Sequence, residues 1–183
     1  GMVPFNVAEV APGSFHRGTS GELAAAQHAA LRAWQPVFAA AKLPLALHDD
    51  MRGVQWAKLL LNLNNPVNAL SELPLREQLL TRGYRLVLAA LQAEAIHVLD
   101  TARIQPARLT PLPAAWMPSV LRLPTPLFRL LAARLLRIDA KARSSMADDL
   151  AHGRITEIDS LCGEVVRMAQ GLNLPAPLNA RMA

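Results

Sequence analysis

The stretch Trp56–Leu70 (WAKLLLNLNNPVNAL) constrains this chain more than any other. It is the most apolar continuous piece of the sequence, yet it carries one lysine and four asparagines. On an α-helix, positions i, i+4 and i+7 share a face, and Lys58, Asn62 and Asn65 have that spacing. Leu59, Leu60, Leu61 and Leu63 take most of the remaining circumference, which predicts a helix buried on nearly all sides. A buried polar group without a hydrogen bond costs about 1–3 kcal/mol, so such a stripe needs partners. Pro66 cannot donate to the carbonyl of Asn62 and disfavours helical geometry at Asn65. The helix is therefore expected to break or kink beside the stripe. An ammonium, several amides and a freed carbonyl would then converge, a set suited to gripping a small, oxygen-rich ligand. A purely structural account also fits, with Lys58 snorkelling to the surface and the asparagines capping a helix end.

The rest of the composition sets bounds. At 183 residues the chain is one domain, or one domain plus a fragment. Hydrophobic residues make up 52% and charged residues 18%, enough to bury a sizeable core, and with only 4% aromatics that core is leucine and alanine, which favours helices. The single cysteine, Cys162, allows no internal disulfide, and nothing suggests an oxidising compartment. No apolar run reaches the ~18–20 residues that span a bilayer, and no basic-then-apolar leader opens the sequence. The expected location is cytoplasmic, with no membrane partner.

The net charge of +5 gathers at Arg122, Arg129, Arg134, Arg137 and Arg143, with Lys141 among them. There are no interleaved aromatics and no DNA-binding motif, so a solvated face or an anion site is expected rather than nucleic acid.

Val3–Val10 reads as a strand, Pro12-Gly13 as a turn and Ser14–Gly18 as a second strand, which together suggest a hairpin. Ser20 is a candidate N-cap for a helix from Gly21 through Leu23, His28, Leu31 and Trp34, kinked or restarted by Pro36 near Val37–Ala41. Leu45–His48 reads as another strand, so residues 1–50 resemble the tail of a mixed α/β unit. From Asp50 onward the patterns are helical. Leu75–Leu80 is a short helix, and Tyr84–Ala102 a long one with Leu88, Leu91, Ala95 and Val98 on one face. Pro106, Pro111, Pro113, Pro118, Pro124 and Pro126 predict an irregular loop or two broken turns, and Leu127–Ile138 an amphipathic basic helix with its leucines packed inward. Thr156 and Asp159 resemble a capping box, which starts a helix near Glu157. Its core stripe is Ile158, Leu161, Cys162, Val165 and Met168, and Gly171 ends it. In that first turn the carboxylate of Glu157 is stabilised by the macrodipole, a role that needs no ligand. His16, His28, His48, His97 and His152 form no metal-ligand pattern, and there is no Gly-rich phosphate loop.

The combination of Trp56-Ala-Lys58, Asn62, Asn65-Pro66-Val-Asn-Ala-Leu70, Gln92-Ala-Glu94, Ser144-Ser145-Met146, Asp149, Thr156-Glu157-Ile158-Asp159, Gly163 and Leu174-Pro175 resembles the C-terminal helical domain of ketopantoate reductases (2-dehydropantoate 2-reductases). The resemblance implies a mainly α fold of the 6-phosphogluconate dehydrogenase C-terminal-like type over residues 51–183. Residues 1–50 would be a hairpin, helix and strand from the end of a Rossmann nucleotide-binding domain. It implies NADPH-dependent reduction of a small 2-oxo acid, and allows a homodimer. Lys58 would donate a proton to the ketone oxygen and Asn62 and Asn65 would hold substrate oxygens. Ser145 would bind the carboxylate, and Glu157 would bind the cofactor or orient Lys58. Asn62 and Asn65 stand one residue closer than in some members. Two further asparagines of the family pattern are replaced by Leu75 and Ala142, which points to a related, more apolar 2-oxo acid as an alternative substrate. A second alternative is a non-catalytic helical module for oligomerisation or anion binding. The G-x-G-x-x-G fingerprint is not among these residues, so the chain by itself is expected neither to bind NADPH tightly nor to turn over.

Overall fold

In a computed structural model, the structure describes residues 1–5, 7–17, 21–133, 136 and 142–183. The N-terminal strands are β1 (Val7–Ala11) and β2 (Ser14–Arg17), an antiparallel hairpin turned at Gly13, whose φ of +72° glycine adopts without strain. β1 starts later than the sequence pattern suggests, after Pro4, which has no N–H for a ladder.

The helix expected from Gly21 does not form there. Leu23–Ala26 is instead a strand, β3, paired in parallel with β4 (Leu45–His48), and α1 (Ala29–Ala40) starts only at the cap His28, whose Nδ1 accepts from the Ala30 N–H. Alanine's helical preference is worth tenths of a kcal/mol per residue, and it loses here to a ladder that also includes Met2 bridging Ala24. Ser20, the expected cap, lies outside the described residues, as does Gly18. α1 runs through Pro36 as one element. β3–α1–β4 is thus a parallel pair joined by a crossover helix, an α/β unit.

The remainder is helical: α2 (Met51–Asn62), α3 (Asn64–Ser71), α4 (Leu75–Leu80), α5 (Arg82–Thr101), α6 (Met117–Arg122), α7 (Thr125–Leu131), α8 (Ser145–Ala151), α9 (Ile158–Gly171) and α10 (Pro177–Met182). α5 is the axle. Its Leu88, Leu91, Ala95 and Val98 are buried in one cluster with Trp56, Leu60 and Leu63 and with Cys162, Val165 and Ala169 of α9. Arg85 of α5 is fully buried, with Nη1 donating to Leu79 O (2.8 Å), Nε to Leu121 O (3.1 Å) and Nη2 to Leu123 O (2.9 Å). Its guanidinium also lies 4.4 Å from the Phe128 ring centroid.

Four local expectations are corrected. The proline-rich stretch is irregular, as expected, only over residues 105–113 and then folds into a 3₁₀ turn (Ala114–Trp116), α6 and the start of α7, because Pro118 and Pro126 occupy first turns, where no N–H is required. α7 buries Phe128, with Ala132 just beyond its end, and exposes Leu127, Leu130 and Leu131 against the inward packing expected, which among the described leucines holds only for Leu136 further on. Arg134, Arg137, Ile138 and Lys141 lie outside the described residues. The Thr156–Asp159 capping box does not form: Glu157 takes the N-cap position without a side-chain cap bond. Lastly, α8 and α10 are helices that the sequence pattern did not announce. Among the described residues no helix is long and apolar enough to cross a membrane.

Candidate active site

α2 is fixed at its start by Asp50, whose Oδ1 accepts from the Gly53 N–H at 3.0 Å. Gly53 abuts the loop after α5, where a Cβ would stand 2.5 Å from Gln105 O. Gly53, Val54, Trp56, Ala57 and Leu60 are buried, while Lys58, Leu59, Leu61 and Asn62 are half-buried. The helix is therefore enclosed along one side rather than all round. It breaks at Leu63, three residues before Pro66, which sits buried in the first turn of α3. There its missing N–H costs nothing, and Asn65 is helical despite preceding it. The break separates the expected stripe: Lys58 and Asn62 share α2, and Asn65 stands on the next helix.

The polar groups around this break divide into two sets. Asn64, Asn68 and Ser144 are committed internally. Asn64 Oδ1 accepts from Gln78 Nε2 at 3.1 Å. Asn68, fully buried, donates from Nδ2 to Leu73 O at 2.9 Å and accepts the Ser144 N–H on Oδ1 at 2.8 Å. Ser144 Oγ donates to Asn65 O at 3.3 Å and accepts the Ala147 N–H at 3.2 Å as the N-cap of α8. The side chains of Lys58, Asn62, Asn65, Ser145 and Glu157 have no hydrogen bond or ion pair within the described residues. The five residues singled out by resemblance are thus all uncommitted.

A small apolar cluster joins the helices that carry them. Ala69 of α3, Met146 and Ala147 of α8 and Leu161 of α9 pack together, with Leu59 of α2 and Ile158 of α9 against them. Leu59, Met146 and Ile158 are the chain neighbours of Lys58, Ser145 and Glu157. Ser145 and Glu157 are exposed, at the N-terminal ends of α8 and α9. Burial holds the Lys58 ammonium below the usual lysine value of 10.5, and no carboxylate offsets it; Glu157 forms no ion pair with it. The cavity of ≈ 20 Å³ on another flank of α2, lined by Ala57, Leu60, Leu61, Gln92, Ile96 and Met117 among others, includes none of the five. Among the described residues no group of His, Cys, Asp and Glu could hold a metal ion, and burial with the nearby Glu94 charge pushes the Cys162 thiol up to about 11, which makes it inert as a nucleophile. The Leu75 N–H donates to Ala142 O at 2.9 Å, so the two positions that depart from the family pattern are neighbours, close to Ser144.

Asn68 and Ser144 were not singled out by the sequence. The spacing Asn64, Asn65, Asn68 on one helix was visible, but only the fold shows which of two adjacent serines is buried.

The family sequence model for ketopantoate reductase PanE/ApbA, C terminal, matches residues 50–183. The chain belongs to the PanE/ApbA ketopantoate reductase family. Among solved structures it resembles a PanE/ApbA family ketopantoate reductase from Ralstonia eutropha JMP134 at 27% identity and a TM-score of 0.78, over 99% of this chain and 55% of that one. It shares its fold with a dimeric ketopantoate reductase from Staphylococcus aureus (16% identity, TM-score 0.72, 99% of this chain and 57% of that one). It also shares it with a D-mandelate dehydrogenase solved with NADH and anilino(oxo)acetate (16% identity, TM-score 0.75, 98% of this chain and 55% of that one). The chain spans little more than half the length of these structures. No protein of curated function matches the sequence.

Proposed function

We propose that this chain is the substrate-binding and proton-donating half of a nicotinamide-dependent 2-oxo acid reductase, with conversion of 2-dehydropantoate to pantoate, a step of pantothenate biosynthesis, as its leading reaction. One observation carries this: the half-buried Lys58 ammonium has no counter-charge among the described residues, and its neighbour Leu59 packs on the same small apolar cluster as the helices that bear Asn65, Ser145 and Glu157, whose side chains are likewise uncommitted. The coenzyme, when bound, supplies hydride to the carbonyl carbon. As charge builds on the ketone oxygen, Lys58 donates a proton to it, and the product is a 2-hydroxy acid. Asn62 and Asn65 donate hydrogen bonds to substrate oxygens, and the Ser145 hydroxyl donates to the carboxylate. The exposed Glu157 carboxylate suits a hydroxyl or amide of NADPH. No Gly-rich phosphate cradle lies in this sequence, so the remainder of the coenzyme must be held outside these residues. The assembly we expect is a homodimer.

A second substrate reading rests on the Leu75–Ala142 hydrogen bond. It brings the backbones of two apolar residues together near Ser144, which favours a 2-oxo acid with an apolar substituent; the D-mandelate dehydrogenase with anilino(oxo)acetate shares this fold. The test is coenzyme oxidation by the full-length enzyme with NADPH or NADH, comparing ketopantoate with an aryl 2-oxo acid. Turnover with either establishes the reaction class, and their kcat/KM ratio selects the substrate. A folded, coenzyme-binding enzyme inert toward every 2-oxo acid would contradict the proposal and leave a non-catalytic module.

A further inference from the structure

We infer that Asn68 is a positioning residue that sets Ser145 and Asn65 in register for the substrate, an inference that rests on the function proposed above. Asn68 is fully buried, and one planar amide serves two directions. Its Nδ2 holds the Leu73 carbonyl (2.9 Å) in the turn after α3, where Glu72 takes a left-handed φ of 56°. Its Oδ1 holds the Ser144 N–H (2.8 Å), 76 positions away in sequence. Its own carbonyl accepts the Ser71 hydroxyl at 2.8 Å.

The Ser144 end is the consequential one. Ser144 immediately precedes Ser145, and its hydroxyl returns to the Asn65 carbonyl while capping α8 through the Ala147 N–H. The backbone of one substrate-facing residue and the chain neighbour of the other are thus strapped together through Asn68 and Ser144. Their own side chains stay free. A short amide offers a donor and an acceptor on one planar group without carrying charge. Leucine offers neither, and aspartate keeps the acceptor for Ser144 but sets a carboxylate against the Leu73 carbonyl. Small displacements of a substrate-holding group cost up to about 100-fold in rate, so a buried strap one residue from it is where such tolerance is set.

The test compares Asn68→Ala, Ser145→Ala and the double variant in the full-length enzyme. Asn68→Ala is expected to raise KM for the 2-oxo acid about 10-fold or more, leave KM for the coenzyme unchanged, and add less than about 2-fold to Ser145→Ala in the double variant, because coupled residues are not additive. Asn68→Asp is expected to recover most of the KM while losing thermal stability, a split that a merely structural role would not give. Amide exchange on the 183-residue chain reads the strap without turnover: Asn68→Ala or, if that fails to fold, Asn68→Asp is compared with wild type. The Ser144 amide should exchange faster in Asn68→Ala and stay protected in Asn68→Asp, with α5 amides protected in both. Independent, multiplicative effects of Asn68→Ala and Ser145→Ala overturn the proposal, as does unprotected Ser144 in Asn68→Asp or an unchanged Ser144 amide in Asn68→Ala. An unchanged KM in Ser145→Ala overturns the site reading beneath it.

Discussion

Two adjacent serines show how much depends on single residues. Ser144 is buried and spent on internal bonds; Ser145 is exposed and free. The sequence cannot distinguish them, because the difference arises from Asn68, on a helix it does not foresee as a neighbour. Lys58, by contrast, was legible from its spacing with Asn62, and what the fold adds is its electrostatic state. Its folded value lies below the unfolded one through burial. Between those two values the unfolded chain binds the extra proton, so stability rises with pH through that window, up to about 10.5. At neutral pH the charged form is the costly one. Lys58→Met is therefore expected to keep or raise Tm at pH 7 while it abolishes turnover, a stability–activity trade-off that a melting curve and an assay together check. Cys162, pushed up to about 11, should resist iodoacetamide at pH 8 in the native chain and react once guanidinium unfolds it.

At the scale of elements, helices were read well wherever periodicity was long, as with α5 and α9. The expectations failed where neighbours outvoted propensity. Leu23–Ala26 became a strand because β4 supplied a ladder, and α8 was missed because its cap is completed by Asn68 from α3. Arg85 could not be read as a core residue from sequence at all. Its charge is offset by carbonyls at the ends of α4 and α6 rather than by a carboxylate. Arg85→Met leaves those carbonyls unsatisfied and should cost about 3–5 kcal/mol, measurable by urea denaturation. Arg85→Lys should restore little of it, since an ammonium lacks the planar fork.

At the scale of the molecule, the cavity beside α2 is lined by none of the five uncommitted residues, and the chain spans little more than half the length of the structures it resembles. That the pieces belong together was legible only through the family pattern, because Lys58 and Ser145 lie far apart in sequence and only their neighbours Leu59 and Met146 share an apolar cluster, which no local rule exposes. With no Gly-rich phosphate cradle in the sequence, the 183-residue chain should bind NADPH more weakly than about 1 μM by calorimetry. Submicromolar binding would show that these residues hold the whole coenzyme.

The central claim, that the unpaired Lys58 ammonium protonates a 2-oxo acid, is tested most directly by coenzyme oxidation in the full-length enzyme, wild type against Lys58→Ala. The account predicts that kcat with the preferred 2-oxo acid falls at least about 100-fold, with coenzyme affinity unchanged. A Lys58→Ala enzyme that turns over within a few-fold of wild type would contradict it.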